Sequence, residues 1–123
     1  MSVIKKNSKM PPQAIDFEEG VLGALMIDKN ATAVAIEILS PECFYKEKNQ
    51  EIFQALLELF NDAEPIDLLT VAEKLRKNGK LKFCGGEVYL AELTQKVISS
   101  AHIEHHARII VQKYIQRLSL IHI

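Results

Sequence analysis

The sequence predicts an all-α fold, a compact bundle of about six helices. Apolar residues recur at helical spacing from Ala14 onward, and no strand-like alternation lasts more than a few residues. Breakers such as Pro41, Pro65, Gly79 and Gly85-Gly86 fall between the periodic stretches. With 123 residues, 48% apolar and 25% charged, the chain is long enough for one core without metal or disulfide staples. It is too short for a nucleotide-driven motor or a barrel enzyme, and no internal repeat is present.

Residues 1–13 lack periodicity and end in Pro11-Pro12, so they read as a flexible arm, and a globular helical head is expected over 14–100. The first helix carries Val21, Leu22, Leu25 and Met26, with Gly20 and Gly23 on the neighbouring face. Each glycine costs about 1 kcal/mol relative to Ala in a helix, which a closely crossing helix backbone would explain. Asn30 is placed to cap a second helix bearing Val34, Ala35, Ile38 and Leu39, stopped at Ser40-Pro41.

The third helix puts Ile52, Phe53, Leu56, Leu57 and Phe60 on one stripe and turns Glu51, Gln54 and Glu58 to water, which predicts the core helix. Asp67 caps a fourth, with Leu68, Val71, Ala72 and Leu75 inward and Asn78-Gly79 at its end. Leu81 and Phe83 are expected to anchor an extended connection to Gly85-Gly86. A fifth helix follows with Tyr89, Leu90 and Leu93, and Ser99-Ser100 opens a sixth.

That last helix differs in kind. Ile103, Ala107, Ile110 and Tyr114 form one apolar stripe, and Val111, Ile115 and Leu118 form a second beside it. A helix apolar on two flanks needs two neighbours, one being the head and the other a further segment or a second subunit.

Charge is uneven along the chain. Residues 14–73 hold thirteen acids against three lysines, and residues 74–123 hold nine bases against three acids. The pattern predicts a dipolar molecule suited to stacking on copies of itself or on a charged protein, with a first half that repels phosphate. No apolar run approaches the roughly 18 residues of a membrane span, so no membrane partner and a cytoplasmic location are expected. Cys43 and Cys84 are expected as buried thiols, a bridge between them being the weaker alternative in a reducing compartment.

Catalytic signals are sparse. The G-x-x-x-x-G-K-[ST] loop is absent, so the chain by itself is not expected to be an enzyme or to bind a cofactor. Gly85-Gly86 reads as a turn that starts a helix rather than an anion cradle. His102 and His106 stand at i, i+4 with His105 beside them, but no carboxylate or cysteine is spaced to complete a tetrahedral site, so exposed or interfacial histidines are expected instead of a metal. The stretch DLLTVAEKLRKNGK resembles the first helix of a helix-turn-helix with Arg76, Lys77, Lys80 and Lys82 on phosphates. The following helix is acidic and apolar, which leaves a small DNA-binding regulator as the alternative reading.

The segments PPQAIDFEEGVLGALMID, LSPECFY, IFQALLELF, PIDLLTVAEKL, NGKL, GGEVYLAEL and SAHIEHHARIIVQKYIQR, in that order over residues 11–117, resemble the N-terminal domain of the bacterial replicative DNA helicase of the DnaB type. The sequence departs from that family at Asn49, where a histidine is usual, and at His102, where asparagine is common. The resemblance implies a helical head followed by a helical hairpin, with residues 101–117 as its first arm. It further implies pairing through the hairpins, a trimer-of-dimers collar on a hexameric ring, and docking of primase on that collar. ATP and magnesium would belong to a separate C-terminal domain, and DNA would be contacted mainly by the whole ring.

On that view Ile103, Ala107, Ile110, Val111 and Tyr114 are the candidate subunit-interface residues, packing within their own subunit being the equally weighted alternative. Ile110→Asp is then expected to weaken self-association more than it weakens the head. The last six residues, Leu118 to Ile123, depart from the family's continuation and match one reading frame of the transposase mosaic end used in sequencing libraries, so a non-native tail is expected from Leu118.

Overall fold

Proline marks where the first helix begins. Pro12 stands in the first turn, where its missing N–H and fixed φ cost nothing, and α1 runs Pro12–Ile27. The helix therefore starts just inside the stretch expected as an arm. This is a computed structural model, and it describes residues 10–97 and 99–121, with side chains as far as Ser119. Residues 1–9 of the expected arm and the last two residues of the expected tail lie outside the described residues. Six α-helices are described: α1, α2 (Lys29–Ala35), α3 (Glu47–Asn61), α4 (Leu68–Lys77), α5 (Gly86–Gln95) and α6 (Ile103–Ile121). Single 3-10 turns at Pro41–Cys43 and Ser100–His102 complete the order, and no strand occurs among the described residues. The all-helical expectation holds.

The core helix is α1, not the third helix as its stripe suggested. Every residue from Glu18 to Met26 is buried, and α1 touches each of the other five α-helices. A helix covered on all sides carries no polar face to announce it, whereas α3 has one. On α3 the buried set is Asn49, Ile52, Phe53, Ala55, Leu56 and Leu59, while Leu57 and Phe60 are only half-buried. The helical stripe is real but rotated toward Ala55 and Leu59.

Gly23 faces the carbonyl end of α5 so closely that an added Cβ would collide with the Leu93 carbonyl. The expected close crossing exists, and α5 makes it. Local chemistry then sets the other boundaries. Asp28 rather than Asn30 caps α2, accepting the Asn30 and Ala31 N–H groups at 3.0 and 3.3 Å. The helix ends at Ala35, turns carry the chain to Leu39, and Val34 faces solvent instead of the core. Asp67 caps α4 in a reciprocal box with Thr70, and Gly79 takes φ 73° at its end, as the sequence predicted.

The connection from Leu81 to Gly85 is coiled into turns, not extended. Cys84, Gly85 and Gly86 donate their N–H groups to the carbonyls of Lys80, Lys82 and Leu81. Cys84 is buried there and Phe83 is half exposed, the reverse of an anchor at Phe83.

The charge asymmetry also folds inward. Bases of the second half meet acids of the first: Lys74 with Glu58 and Asp62, Lys80 with Glu51, Lys96 with Asp16 and Glu19, Arg117 with Glu18. The helices of the second half lie across those of the first, which brings these opposite charges together. The exposed pairs among them contribute little stability each.

Candidate assembly surface and two buried polar clusters

The last helix, α6, follows a 3-10 turn whose start Ser99 caps, and Ser100 donates its hydroxyl to Asp28 at 2.7 Å. Asp28 thus ties the α1–α2 corner to the beginning of α6. The bond from Ser100, followed by those from the α2 backbone, holds the Asp28 carboxyl below its ordinary pKa. From this fixed start the two apolar flanks of α6 part company. Ile103, Ala107 and Ile110 are 6%, 0% and 1% exposed against the chain's own core. Val111 and Tyr114 are half-buried at its edge.

Three of the five candidate interface residues therefore belong to packing within the subunit, and Ile110→Asp would place a charge in that core rather than on a surface. The second flank is the open one. Ile115 is 55% exposed and Val34 of α2 is 37% exposed. Together with Ile38 and Val111 they floor an open groove of about 810 Å³ between the α2 region and α6, rimmed by Glu37, Glu104, Arg108, Gln112 and Gln116. Arg108 and Glu104 pair along the rim at 3.0 Å. An apolar floor with a mixed-charge rim suits another amphipathic helix.

Sequence reasoning missed two buried polar clusters around Glu18 and Glu19 of α1. In the first, buried Glu19 receives Lys96 Nζ at 2.6 Å, and its other oxygen lies 2.8 Å from the Tyr89 hydroxyl and 3.4 Å from Asn49 Nδ2. The same hydroxyl lies 2.7 Å from Asn49 Oδ1, so its single proton is shared between two acceptors. Burial pushes the Glu19 carboxyl up, but the bonds from Lys96, Tyr89 and Asn49 outweigh it and hold the group below its ordinary pKa. In the second cluster, Glu18 accepts the Tyr45 N–H at 2.9 Å and lies 3.9 Å from Arg117, while burial raises its pKa. Consecutive acids inside an apolar helix were the available signal, since two buried carboxylates need partners on other elements.

The family model of the DnaB-like helicase N terminal domain matches residues 10–112. The chain belongs to that family. It is 47% identical over 110 residues to the replicative DNA helicase DnaB of Rhodothermus marinus, covering 89% of this chain and 12% of that protein. With the DnaB of Geobacillus stearothermophilus it shares 41% over 111 residues, covering 90% of this chain and 24% of that protein. The chain therefore spans between an eighth and a quarter of these relatives.

Among solved structures, the N-terminal domain of DnaB helicase from Mycobacterium tuberculosis superposes with TM-score 0.82 at 36% identity, over 88% of this chain and 78% of that one. The corresponding Helicobacter pylori domain, described with its interactions with primase, superposes with TM-score 0.73 at 24% identity over 87% and 83%, and shows the fold alone.

His102 and His106 ring centroids are 6.5 Å apart, His106 also meets the Phe17 ring edge-on, and among the described residues no group of three His, Cys, Asp or Glu side chains is arranged to hold a metal. Burial, then His105 and His102, lowers the His106 pKa. Arg76 pairs with Glu73 and Glu87, and Lys80 with Glu51, so two of the four proposed phosphate contacts are engaged by carboxylates. The helix that would read DNA, α5, instead buries Leu90 and Leu93. Cys43 and Cys84 are both free and buried. No described helix is long and apolar enough to cross a membrane.

Proposed function

We propose that this chain is the assembly and docking part of a replicative DNA helicase. It holds motor subunits in register and presents a surface to primase, while ATP- and magnesium-dependent unwinding resides in another part of the same protein. In this reading α6 is the first arm of a helical hairpin, and subunits pair through these hairpins to build a trimer-of-dimers collar on a hexameric ring in the cytoplasm. DNA is met by the whole ring.

The observation that carries the proposal is the groove beside α6. One flank of α6 is spent on the head, and the other leaves Ile115 and Val34 open to solvent along the groove floor. The absence of a phosphate-binding loop from the sequence supports assigning ATP turnover elsewhere. The interface therefore centres on Val111 and Ile115 with Val34 of α2, rather than on the buried Ile103, Ala107 and Ile110, and Tyr114 stands off the groove beside Arg117. The primase part of the reading leans on the Helicobacter pylori relative and on this shared fold.

Sedimentation velocity of the complete helicase across a concentration series tests the assembly. Dimers and hexamers are expected to replace one another with concentration, and added primase should co-sediment with the hexamer. A strict monomer at every concentration would overturn the proposal.

A further inference from the structure

Arg117 stands near the far end of α6, where three separated stretches of the chain meet. Its Nη1 donates to Met10 Sδ at 2.9 Å and lies 3.9 Å from Glu18 Oε2, and its Nη2 donates to the Cys43 carbonyl at 3.2 Å. The Tyr45 and Tyr114 rings lie 5.4 and 5.7 Å from its Cζ. The guanidinium therefore bridges the segment before α1, α1 itself and the 3-10 turn after α2.

Its opposite number is only half satisfied. Glu18 is 1% exposed, and while Oε1 takes the Tyr45 N–H, Oε2 has no hydrogen-bond partner. The charges around it are Arg117 on α6 and Glu19 beside it on α1, and only the first is attractive. Full burial of apolar side chains on α6 ends upstream at Ile110, and beyond it Val111, Tyr114 and Leu118 are only half-buried. About two helical turns separate Ile110 from Arg117.

We infer that Arg117 is a latch: it holds the second half of α6 against the head by closing over Glu18 and the Cys43 carbonyl, and that half swings free when the guanidinium is withdrawn. Ile103, Ala107 and Ile110 keep the first half docked in either state. The latch works within one chain and does not depend on the assembly reading.

Hydrogen exchange of this 123-residue chain, followed by mass spectrometry, tests it. In Arg117→Gln the amides of residues 111–119 are expected to exchange about tenfold faster, and those of α3 to stay within about twofold of the parent. A second readout separates the latch from ordinary packing. Without Arg117 the buried Glu18 has no cation, and burial already raises its pKa, so the thermal-midpoint loss of Arg117→Gln is expected to shrink as pH is lowered from neutrality and that carboxyl protonates. In the Glu18→Gln background the loss should not depend on pH. Should Arg117→Gln fail to fold, Arg117→Lys carries the test, since it keeps the charge but loses the fork, and the same pattern over 111–119 is expected at smaller amplitude. Unchanged exchange at 111–119, equal acceleration throughout the chain, or a pH-independent loss with Glu18 itself in place would each overturn the latch.

Discussion

The carbonyl oxygen of Leu93 occupies the space in which a Cβ on Gly23 would stand, so α5 crosses α1 with backbone against backbone. Alanine at position 23 would gain about 1 kcal/mol of helix propensity but must push the two backbones apart. Overpacking of this kind costs about 1–3 kcal/mol, and here the obstacle is main chain, which cannot rotate away. Because the obstacle is main chain, the cost falls toward the upper end of that range, and Gly23→Ala is expected to lower the urea midpoint by the equivalent of up to about 2 kcal/mol net. An unchanged midpoint would mean that the crossing is looser than the structure has it.

That crossing was legible in the sequence because two glycines within a helix need a reason. Amphipathic helices were legible too: α4 and its Asp67 cap, the Gly79 stop and the buried Leu90 and Leu93 all follow from spacing and capping chemistry. The central helix was not, since α1 is buried all round and lacks the polar face that a periodicity argument reads. Nor were the partners of the α6 stripe, because a stripe reports that a face is covered and not by what. The Glu18 and Glu19 clusters depend on residues up to 99 positions away, such as Arg117 for Glu18, and no local pattern predicts such pairing.

Tyr89 is the shared donor of the Glu19 cluster, so Tyr89→Phe leaves two buried acceptors competing for fewer donors. The expected cost is about 1–2 kcal/mol at neutral pH. Because Glu19 has its folded pKa depressed, its stabilising contribution is present above the unfolded value and is lost as pH falls through the folded one. The gap between the parent and Tyr89→Phe should therefore be widest near pH 7 and close on the acid side of about pH 4. Denaturation curves at both pH values check this, and a gap that widens in acid would contradict it.

Cys84 is fully buried, and desolvation, reinforced by Glu51, raises its thiol pKa to about 11. The thiolate is then scarce at neutral pH and shielded as well. Alkylation of Cys84 by iodoacetamide is expected to follow global unfolding, accelerating with urea in step with loss of helicity. Rapid labelling in native buffer would show that the turn from Leu81 to Gly85 opens independently of the core.

Ile115 and Ile110 lie on different flanks of α6, and the pair separates assembly from folding. Ile110 is 1% exposed, so Ile110→Asp buries an unpaired carboxylate and is expected to unfold the head, costing about 3 kcal/mol or more. Ile115 is 55% exposed, so Ile115→Asp changes a surface that this chain leaves open and should alter the thermal midpoint by no more than about 0.5 kcal/mol in free energy. If the groove floor seats a second helix, the same substitution puts a carboxylate into an apolar contact and should weaken association of the complete helicase by about tenfold or more. Sedimentation and thermal melts of the two variants side by side decide between the flanks. Equal loss of helicity in both would place Ile115 in the core, and undiminished association of a well-folded Ile115→Asp would move the subunit contact away from this groove.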